Sequence, residues 1–153
     1  MIPIQRTLVL IKPDGIQRGL AGPIISRIES TGLKIVAMKM LHVDDTLAKR
    51  HYSAHEGKGF FPGLVKFISS SPVIAMVFEG PNAIEVVRKL MGETDPTKAP
   101  PGTIRGDLAL DIGRNVVHGS ANSEDAEKEV ALFFSPQEIY SYARDTDRWI
   151  VEP

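Results

Sequence analysis

The apolar pattern of the chain changes period several times, and this alternation constrains the fold more than any other feature of the sequence. Residues 7–11 form an apolar and β-branched run that ends at Lys12-Pro13-Asp14-Gly15, which predicts a buried strand followed by a turn. Residues 23–29 then carry isoleucines at helical spacing behind a proline, as at the start of a helix. Strands and helices must therefore pack together in this chain.

The rest of the chain continues the alternation. Further strands are predicted over 33–43, 72–78 and 116–117, and helices over 45–56, 62–70, Gly80-Pro81 to Met91, and Ser123 (as N-cap) to Phe134. Residues 93–106 hold three prolines and two glycines and predict a long irregular loop. This order predicts an α+β fold of the ferredoxin-like, split βαβ type, with a four-stranded antiparallel sheet and helices packed on it.

Length and composition exclude several classes of protein. A chain of 153 residues predicts a single domain over 1–153. The lack of cysteine excludes disulfides, thiol nucleophiles and cysteine-based metal sites. A net charge of −1 predicts no dedicated nucleic-acid binding, and no apolar run approaches the ~18 residues of a membrane span. Residues 1–15 lack the pattern of a secretory signal, so we expect a cytoplasmic protein without membrane association.

His118 is the first candidate for chemistry, because it follows the last predicted strand and precedes two small residues. Glu129 lies on the core-facing stripe of its predicted helix, where a carboxylate needs a partner. His118 is a candidate partner, with Ser120 as an intermediary. Such a carboxylate fixes the tautomer of the ring and makes the other nitrogen more nucleophilic. The structural alternatives are a histidine bound to a backbone carbonyl and a glutamate paired with an arginine.

Three cations indicate a site for a polyanion. Lys12 ends the first strand, Arg88 interrupts an apolar helix, and Arg105 closes the long loop that also contains Thr94. Arginine forks and a lysine point charge suit phosphate oxygens, although each side chain could simply be solvated. The glycine-rich phosphate motifs are missing, so a nucleotide would have to be held by side chains.

The segment before the second short helix contains several further candidates. Tyr52 and Phe60 could form a platform for a base or could pack in the core. His51 and His55 are four residues apart, but without a nearby third ligand they predict a solvated helix face rather than a metal site. Residues 58–61 are similar to an RNA-recognition strand, which the following proline would break.

From about Arg6 to its end, the chain resembles the nucleoside diphosphate kinase family. Six segments carry the resemblance, and the last two are highly specific: 6–15, 17–20, 60–65, 92–96, 101–107 and 115–120. That family transfers the γ-phosphate of a nucleoside triphosphate, typically ATP, to nucleoside diphosphates by a ping-pong route and so maintains triphosphate pools.

The resemblance implies a role for each candidate residue. His118 would become a phosphohistidine, with Glu129 orienting its ring. Lys12 and Ser120 are predicted to belong to the catalytic set with them. Mg²⁺ would be held mainly by the nucleotide phosphates, with no protein metal site. The nucleotide would be bound through its phosphates by Lys12, Arg88, Thr94 and Arg105, through its 3′-hydroxyl by Lys12 and Asn115, and through its base by Phe60 with Tyr52 close by.

The resemblance has one departure and one implication for assembly. The family pattern usually continues from the Gly-Ser pair into aspartate, where this chain has Ala121; Asn122 could replace the lost polar group. Residues 148–153 are more similar to the hexameric members than to the tetrameric ones, so a homo-oligomer, and a hexamer rather than a tetramer, is expected. The competing hypothesis is a ferredoxin-like module that binds RNA or a regulatory nucleotide without catalysis.

Overall fold

The computed structural model describes residues 2–153 and contains one antiparallel sheet. Its strands are β1 (Ile4–Ile11), β2 (Lys34–Leu41), β3 (Val73–Pro81) and β4 (Val117–Gly119), in the spatial order β2-β3-β1-β4. Seven α-helices connect and cover them: α1 (Pro13–Gln17), α2 (Ala21–Glu29), α3 (Asp45–His51), α4 (Phe61–Ile68), α5 (Ala83–Met91), α6 (Ile104–Leu108) and α7 (Ser123–Phe133). Three short 3-10 helices lie at Ser53–His55, Pro136–Glu138 and Asp147–Trp149. The predicted α+β, ferredoxin-like fold is confirmed.

Both faces of the sheet are buried, which explains the continuous apolar runs 8–11 and 73–78 in its two central strands. Side chains of β1 alternate between two cores: Val9 and Ile11 pack with α2 and α5, whereas Leu8 and Leu10 pack with α3, α4 and α7. The strand register pairs Leu10 with His118. The short β4 is therefore anchored on the most buried strand of the sheet.

Four local predictions were wrong. The segment after β1 forms helix α1 rather than a turn, because Pro13 occupies its first position. Helix α5 begins only at Ala83, after Asn82 in a left-handed conformation, because Pro81 still pairs in β3. The predicted loop 93–106 already contains the start of α6. The N-cap of α7 is Asn122, not Ser123.

The helices show no sign of a membrane segment. Among residues 2–153, none of them is long and apolar enough to cross a bilayer.

Candidate active site

The candidate nucleophile His118 lies in the middle of β4, and a carboxylate from α7 holds its ring. Its Nε2 donates to Oε1 of Glu129 at 3.0 Å, and the hydroxyl of Ser120 donates to the same oxygen at 2.7 Å. The fully buried Ser120 also accepts the backbone N–H of Leu8 at 3.1 Å. In the described part of the chain, Glu129 pairs with no arginine. Of the two predicted partners, the histidine is therefore the one that it contacts.

Glu129 keeps its negative charge although it is largely buried. Burial by itself raises the pKa of this carboxyl, but the hydrogen bonds from His118 and Ser120, with the positive charge of a protonated His118, hold the pKa below its usual range. An ionised carboxylate only accepts hydrogen bonds, so Nε2 of His118 must carry a proton. In a neutral ring, the lone pair is then left at Nδ1.

The backbone just before His118 is strained, and two hydrogen bonds hold it. Val116 has a φ of 64°, a conformation that costs on the order of 1–3 kcal/mol in a non-glycine residue. Its N–H donates to Oδ2 of Asp14 at 3.0 Å, and its carbonyl accepts the backbone N–H of Lys12 at 2.9 Å. These bonds tie the end of β1 to the start of β4, so Lys12 and His118 keep fixed relative positions.

The Lys12 side chain is partly buried beside β4. Its Nζ donates to Oδ1 of Asn115 at 2.8 Å, and Nδ2 of Asn115 donates to the carbonyl of Thr94 at 3.0 Å. Burial lowers the pKa of Lys12 to about 8; the Asp14 carboxylate opposes this shift, and nearby guanidinium groups add to it. An anion bound at Nζ would favour the charged form again.

Arg105 is the most buried cation of the group, with 6% of its surface exposed. Three of its N–H groups donate to the carbonyls of Gly92 at 3.2 Å, Asn115 at 3.3 Å and Val117 at 2.7 Å. A guanidinium has five N–H groups, so two remain for a ligand. Burial, and then the positive charge of Arg88, lowers the pKa of Arg105 to about 10, which still leaves it charged at neutral pH.

Arg88 and Thr94 are the exposed members of this group. Both line an open cavity of about 810 Å³, which Lys12, Arg105 and Asn115 do not line. Arg88 acts electrostatically on Arg105, and Thr94 is bonded through its carbonyl to Asn115. These contacts and charges connect the five predicted phosphate and sugar ligands beside β4: Lys12, Arg88, Thr94, Arg105 and Asn115.

The aromatic candidates lie on the α3 side of His118 and differ in exposure. Burial, with the negative charge of Glu129, raises the pKa of Tyr52 to about 12. Phe60 is 55% exposed, so core packing does not explain it. The two are linked through His55, whose ring lies 6.4 Å from Tyr52 and 5.3 Å from Phe60.

The prediction that His51 occupies a solvated helix face was wrong. Its ring centroid lies 4.8 Å from that of His118 and 5.4 Å from that of Phe133. Burial, followed by the positive charge of a protonated His118, lowers the pKa of His51 to about 3. The error arose because α3 ends at this residue and packs against α7, which the spacing to His55 does not reveal.

The donor atoms of the site decide which metals it suits. His51, His118 and Glu129 each bring one potential ligand atom to within 4.8 Å of the others. Two imidazoles and one carboxylate suit transition metals, whereas Mg²⁺ prefers oxygen ligands and nucleotide phosphates. The cations beside β4 favour a phosphate chain.

Asn122 does not take the place of the aspartate that the family pattern has at position 121. Its Oδ1 accepts the backbone N–H of Asp125 at 2.8 Å, which caps α7. Ala121 therefore has no polar replacement from its neighbour in this conformation.

Sequence reasoning missed two residues that shape the site. Asp14 stood inside a segment interpreted as a turn, and nothing in the sequence marks it as buried. The positive φ of Val116 also has no sequence signal, because valine rarely adopts it. Both became visible only through the contact between β1 and β4.

The family model for nucleoside diphosphate kinase matches residues 5–139 of this chain. The nucleoside diphosphate kinase of Roseiflexus sp. (strain RS-1) is 54% identical over 149 residues, which are 97% of this chain and 100% of that protein. The enzyme of the same name from Archaeoglobus fulgidus is 55% identical over 149 residues, 97% of this chain and 99% of its own length.

Solved structures show the same similarity. A halophilic nucleoside diphosphate kinase from Halobacterium salinarum in complex with CDP superposes with a TM-score of 0.95 at 50% identity, covering 98% of this chain and 100% of that one. The Borrelia burgdorferi enzyme with bound vanadate and ADP, described as a transition-state mimic, has a TM-score of 0.90 at 45% identity, covering 97% and 98%. This chain therefore belongs to the nucleoside diphosphate kinase family, enzymes that transfer a phosphoryl group between nucleotides through a phosphohistidine.

Proposed function

We propose that His118 is the phosphorylated residue, that its Nδ1 is the attacking atom, and that ATP is the typical donor for the resynthesis of other nucleoside triphosphates. The observation that carries this proposal is the 3.0 Å hydrogen bond from Nε2 to Glu129. Because the carboxylate occupies one nitrogen, the other keeps its lone pair in a side chain that is 26% exposed. Ser120 supports the arrangement by holding the same carboxylate oxygen.

The reaction then runs in two balanced half-steps. The Nδ1 lone pair forms a bond to the γ-phosphorus, while the bond from that phosphorus to the bridging oxygen breaks and the diphosphate leaves with those electrons. A terminal oxygen of the second diphosphate then attacks the phosphorus, and the N–P bond breaks back to Nδ1. Throughout, Nε2 keeps its proton and Glu129 stabilises the positive charge that the ring acquires.

The cations beside β4 bind the phosphate chain in this proposal. Arg105 has two N–H groups left after its backbone bonds, and Lys12, Arg88 and the hydroxyl of Thr94 complete the set. Phosphoryl transfer needs positioning and charge stabilisation more than covalent help from the protein, and these groups supply both.

A Mg²⁺ ion would be held mainly by the nucleotide phosphates, with which it would enter the site. The residues around the phosphate site are cations, an amide and a hydroxyl, which suit the phosphate oxygens rather than the ion itself. When bound, Mg²⁺ neutralises part of the charge on the β- and γ-phosphates.

The sugar and base are recognised with little specificity. Lys12 and Asn115, already joined at 2.8 Å, bind the 3′-hydroxyl. Phe60 stacks on the base, with Tyr52 near it. Stacking uses the π-face that every base possesses, so one enzyme can serve all nucleoside diphosphates.

Labelling with γ-labelled ATP tests the nucleophile. Wild-type protein should acquire a base-stable, acid-labile label that GDP or CDP removes, and His118→Ala should acquire none. If His118→Ala is labelled and turns over normally, the assignment is wrong. Tight nucleotide binding by the wild type without phosphate exchange would instead favour the non-catalytic binding module.

We also propose that this chain acts as one domain in the cytoplasm and as a homo-oligomer, a hexamer rather than a tetramer. The edge strand β2 supports an oligomer because Met40 on it is 60% exposed. The preference for six subunits rests on residues 148–153, which resemble those of hexameric members. Light scattering on the purified protein should give the mass of six chains, and a mass of four would contradict that preference.

A further inference from the structure

One histidine without a role in this scheme lies directly against the proposed nucleophile. The ring planes of His51 and His118 meet at 81°, with centroids 4.8 Å apart. On its other sides, the His51 ring lies 5.4 Å from Phe133 and 4.7 Å from Tyr52. Three rings therefore surround this imidazole, and one of them carries the proposed chemistry.

His51 cannot exchange protons in the reaction. Its pKa, lowered to about 3 by burial and by the positive charge of a protonated His118, keeps the ring neutral at any ordinary working pH. Its Nδ1 is buried without a hydrogen-bond partner among the residues that the structure describes. An unpaired buried atom costs about 1–3 kcal/mol, so stability alone does not explain a histidine here.

The bond to Glu129 does not by itself define the orientation of the His118 ring. It fixes Nε2 at 3.0 Å from the carboxylate oxygen, and Cγ is attached to the backbone, but the ring can still rotate about the line between these two atoms and so move Nδ1. Ser120 acts on the carboxylate and not on the ring. A neighbouring ring in the near-perpendicular arrangement that aromatic pairs prefer removes this freedom.

We propose that His51 is a positioning residue whose ring packs against His118 and holds Nδ1 toward the phosphorus that it attacks. The inference rests on the proposed function, since it takes His118 as the nucleophile. The neutrality of His51 belongs to this role, because a positive charge at that distance would repel the positive charge that the His118 ring acquires during phosphorylation.

Two substitutions separate the ring contact from simple filling of space. His51→Leu fills the site without a flat ring, and His51→Phe restores the ring without a nitrogen. In rapid-quench labelling with γ-labelled ATP, His51→Leu should phosphorylate on the order of tenfold more slowly or worse. His51→Phe should stay within about threefold of the wild type. ADP affinity should be the same in all three proteins, because His51 is not among the nucleotide ligands.

Nitrogen-15 NMR of the His118 ring gives a readout that a merely structural role would not move. In the wild type, Nε2 should be protonated and Nδ1 unprotonated. His51→Leu should keep this tautomer, because Glu129 still holds Nε2, but its Nδ1 signal should broaden as the ring moves. His42→Leu is the control, because His42 is exposed and its ring bonds to the carbonyl of Ser69 rather than to any residue of the candidate site. If His51→Leu does not fold, His51→Gln takes its place as the variant without a ring.

The outcomes distinguish this inference from the proposed function. A folded His51→Leu that phosphorylates at the wild-type rate overturns the inference, and so do equal losses in the Leu and Phe variants. A wild-type protein that takes no label at all defeats the proposed function instead.

Discussion

The two ends of the candidate site differ in how many contacts hold their side chains. At the phosphoryl end, His118, Glu129 and the buried Ser120 are linked by hydrogen bonds of 3.0 and 2.7 Å, and Arg105 donates to three backbone carbonyls. At the base end, Phe60 is 55% exposed. Its ring lies 5.3 Å from that of His55, and the Lys58 ammonium lies 5.7 Å from its centroid.

The difference matches how precisely each side chain must be positioned for phosphoryl transfer or for base stacking. A nucleophilic atom misplaced by about 1 Å costs on the order of a hundredfold in rate, whereas a ring that slides along a base loses little. The phosphoryl end is therefore held by several hydrogen bonds at once, whereas the exposed Phe60 ring has only looser contacts with His55 and Lys58 in the described structure. Substitutions at the two ends should differ in the same way.

The largest effect is expected at Glu129. Glu129→Gln keeps the shape but removes the negative charge, so it no longer stabilises the charged His118 ring or fixes its tautomer. We expect kcat to fall about a hundredfold, with little change in KM. Glu127→Gln, on the exposed face of the same helix, is the matched control, and equal activity of the two variants would contradict the prediction.

The next effect is on stability at Arg105. In Arg105→Lys, the three N–H groups start from a single nitrogen and cannot reach the three carbonyls that Nε, Nη1 and Nη2 of the guanidinium contact separately. Two acceptors therefore lose their partner at about 1 kcal/mol each. The folding equilibrium should drop about thirtyfold, measured by urea denaturation. Arg50→Lys, at an exposed position of α3, should not change it; a midpoint unchanged in Arg105→Lys would show that the three bonds do not stabilise the fold.

A smaller effect is expected from pH. The pKa of Lys12, lowered to about 8 mainly by burial, means that the free enzyme loses this charge above pH 8, so KM for ATP should rise toward tenfold per pH unit. Stability should move the opposite way: from about pH 8 up to the ordinary pKa of 10.5, the unfolded chain binds more protons, so the contribution of Lys12 to the free energy of unfolding increases.

Lys12→Ala is the reference for this pH series. Both trends should disappear in that variant. A KM that rises with pH in Lys12→Ala as steeply as in the wild type would assign the dependence to another group.

The smallest effect is expected at Phe60, at the base end of the site. Phe60→Ala removes the stacking surface, which at an exposed site contributes about 1 kcal/mol, so KM should rise about fivefold while kcat and the melting temperature stay the same. Phe60→Trp should restore the KM because it restores a π-face. A fall in kcat in Phe60→Ala would show that this end is less tolerant than its exposure indicates.

How much the sequence predicts differs between local patterns and contacts made by distant segments. Periodicity is sufficient to predict the sheet and most helices, because it depends on local spacing. The apolar stripe on α7 likewise shows that Glu129 faces the core, where it contacts His118. The residues that these patterns miss act through contacts between distant segments. Asp14 binds the backbone of Val116, and His51 meets His118 only because α3 packs against α7.

The neighbouring positions of β1 and β4 have a consequence for the synthesis of the protein. Lys12 and Asn115 are 103 residues apart in the chain, and Leu8 and Ser120 are 112 apart. A ribosome therefore delivers the lysine long before the strand that it must face, and Glu129 arrives later still. A nascent chain that ends before α7 lacks the carboxylate that orients the His118 ring. Catalytic competence therefore begins only when nearly the whole polypeptide has emerged.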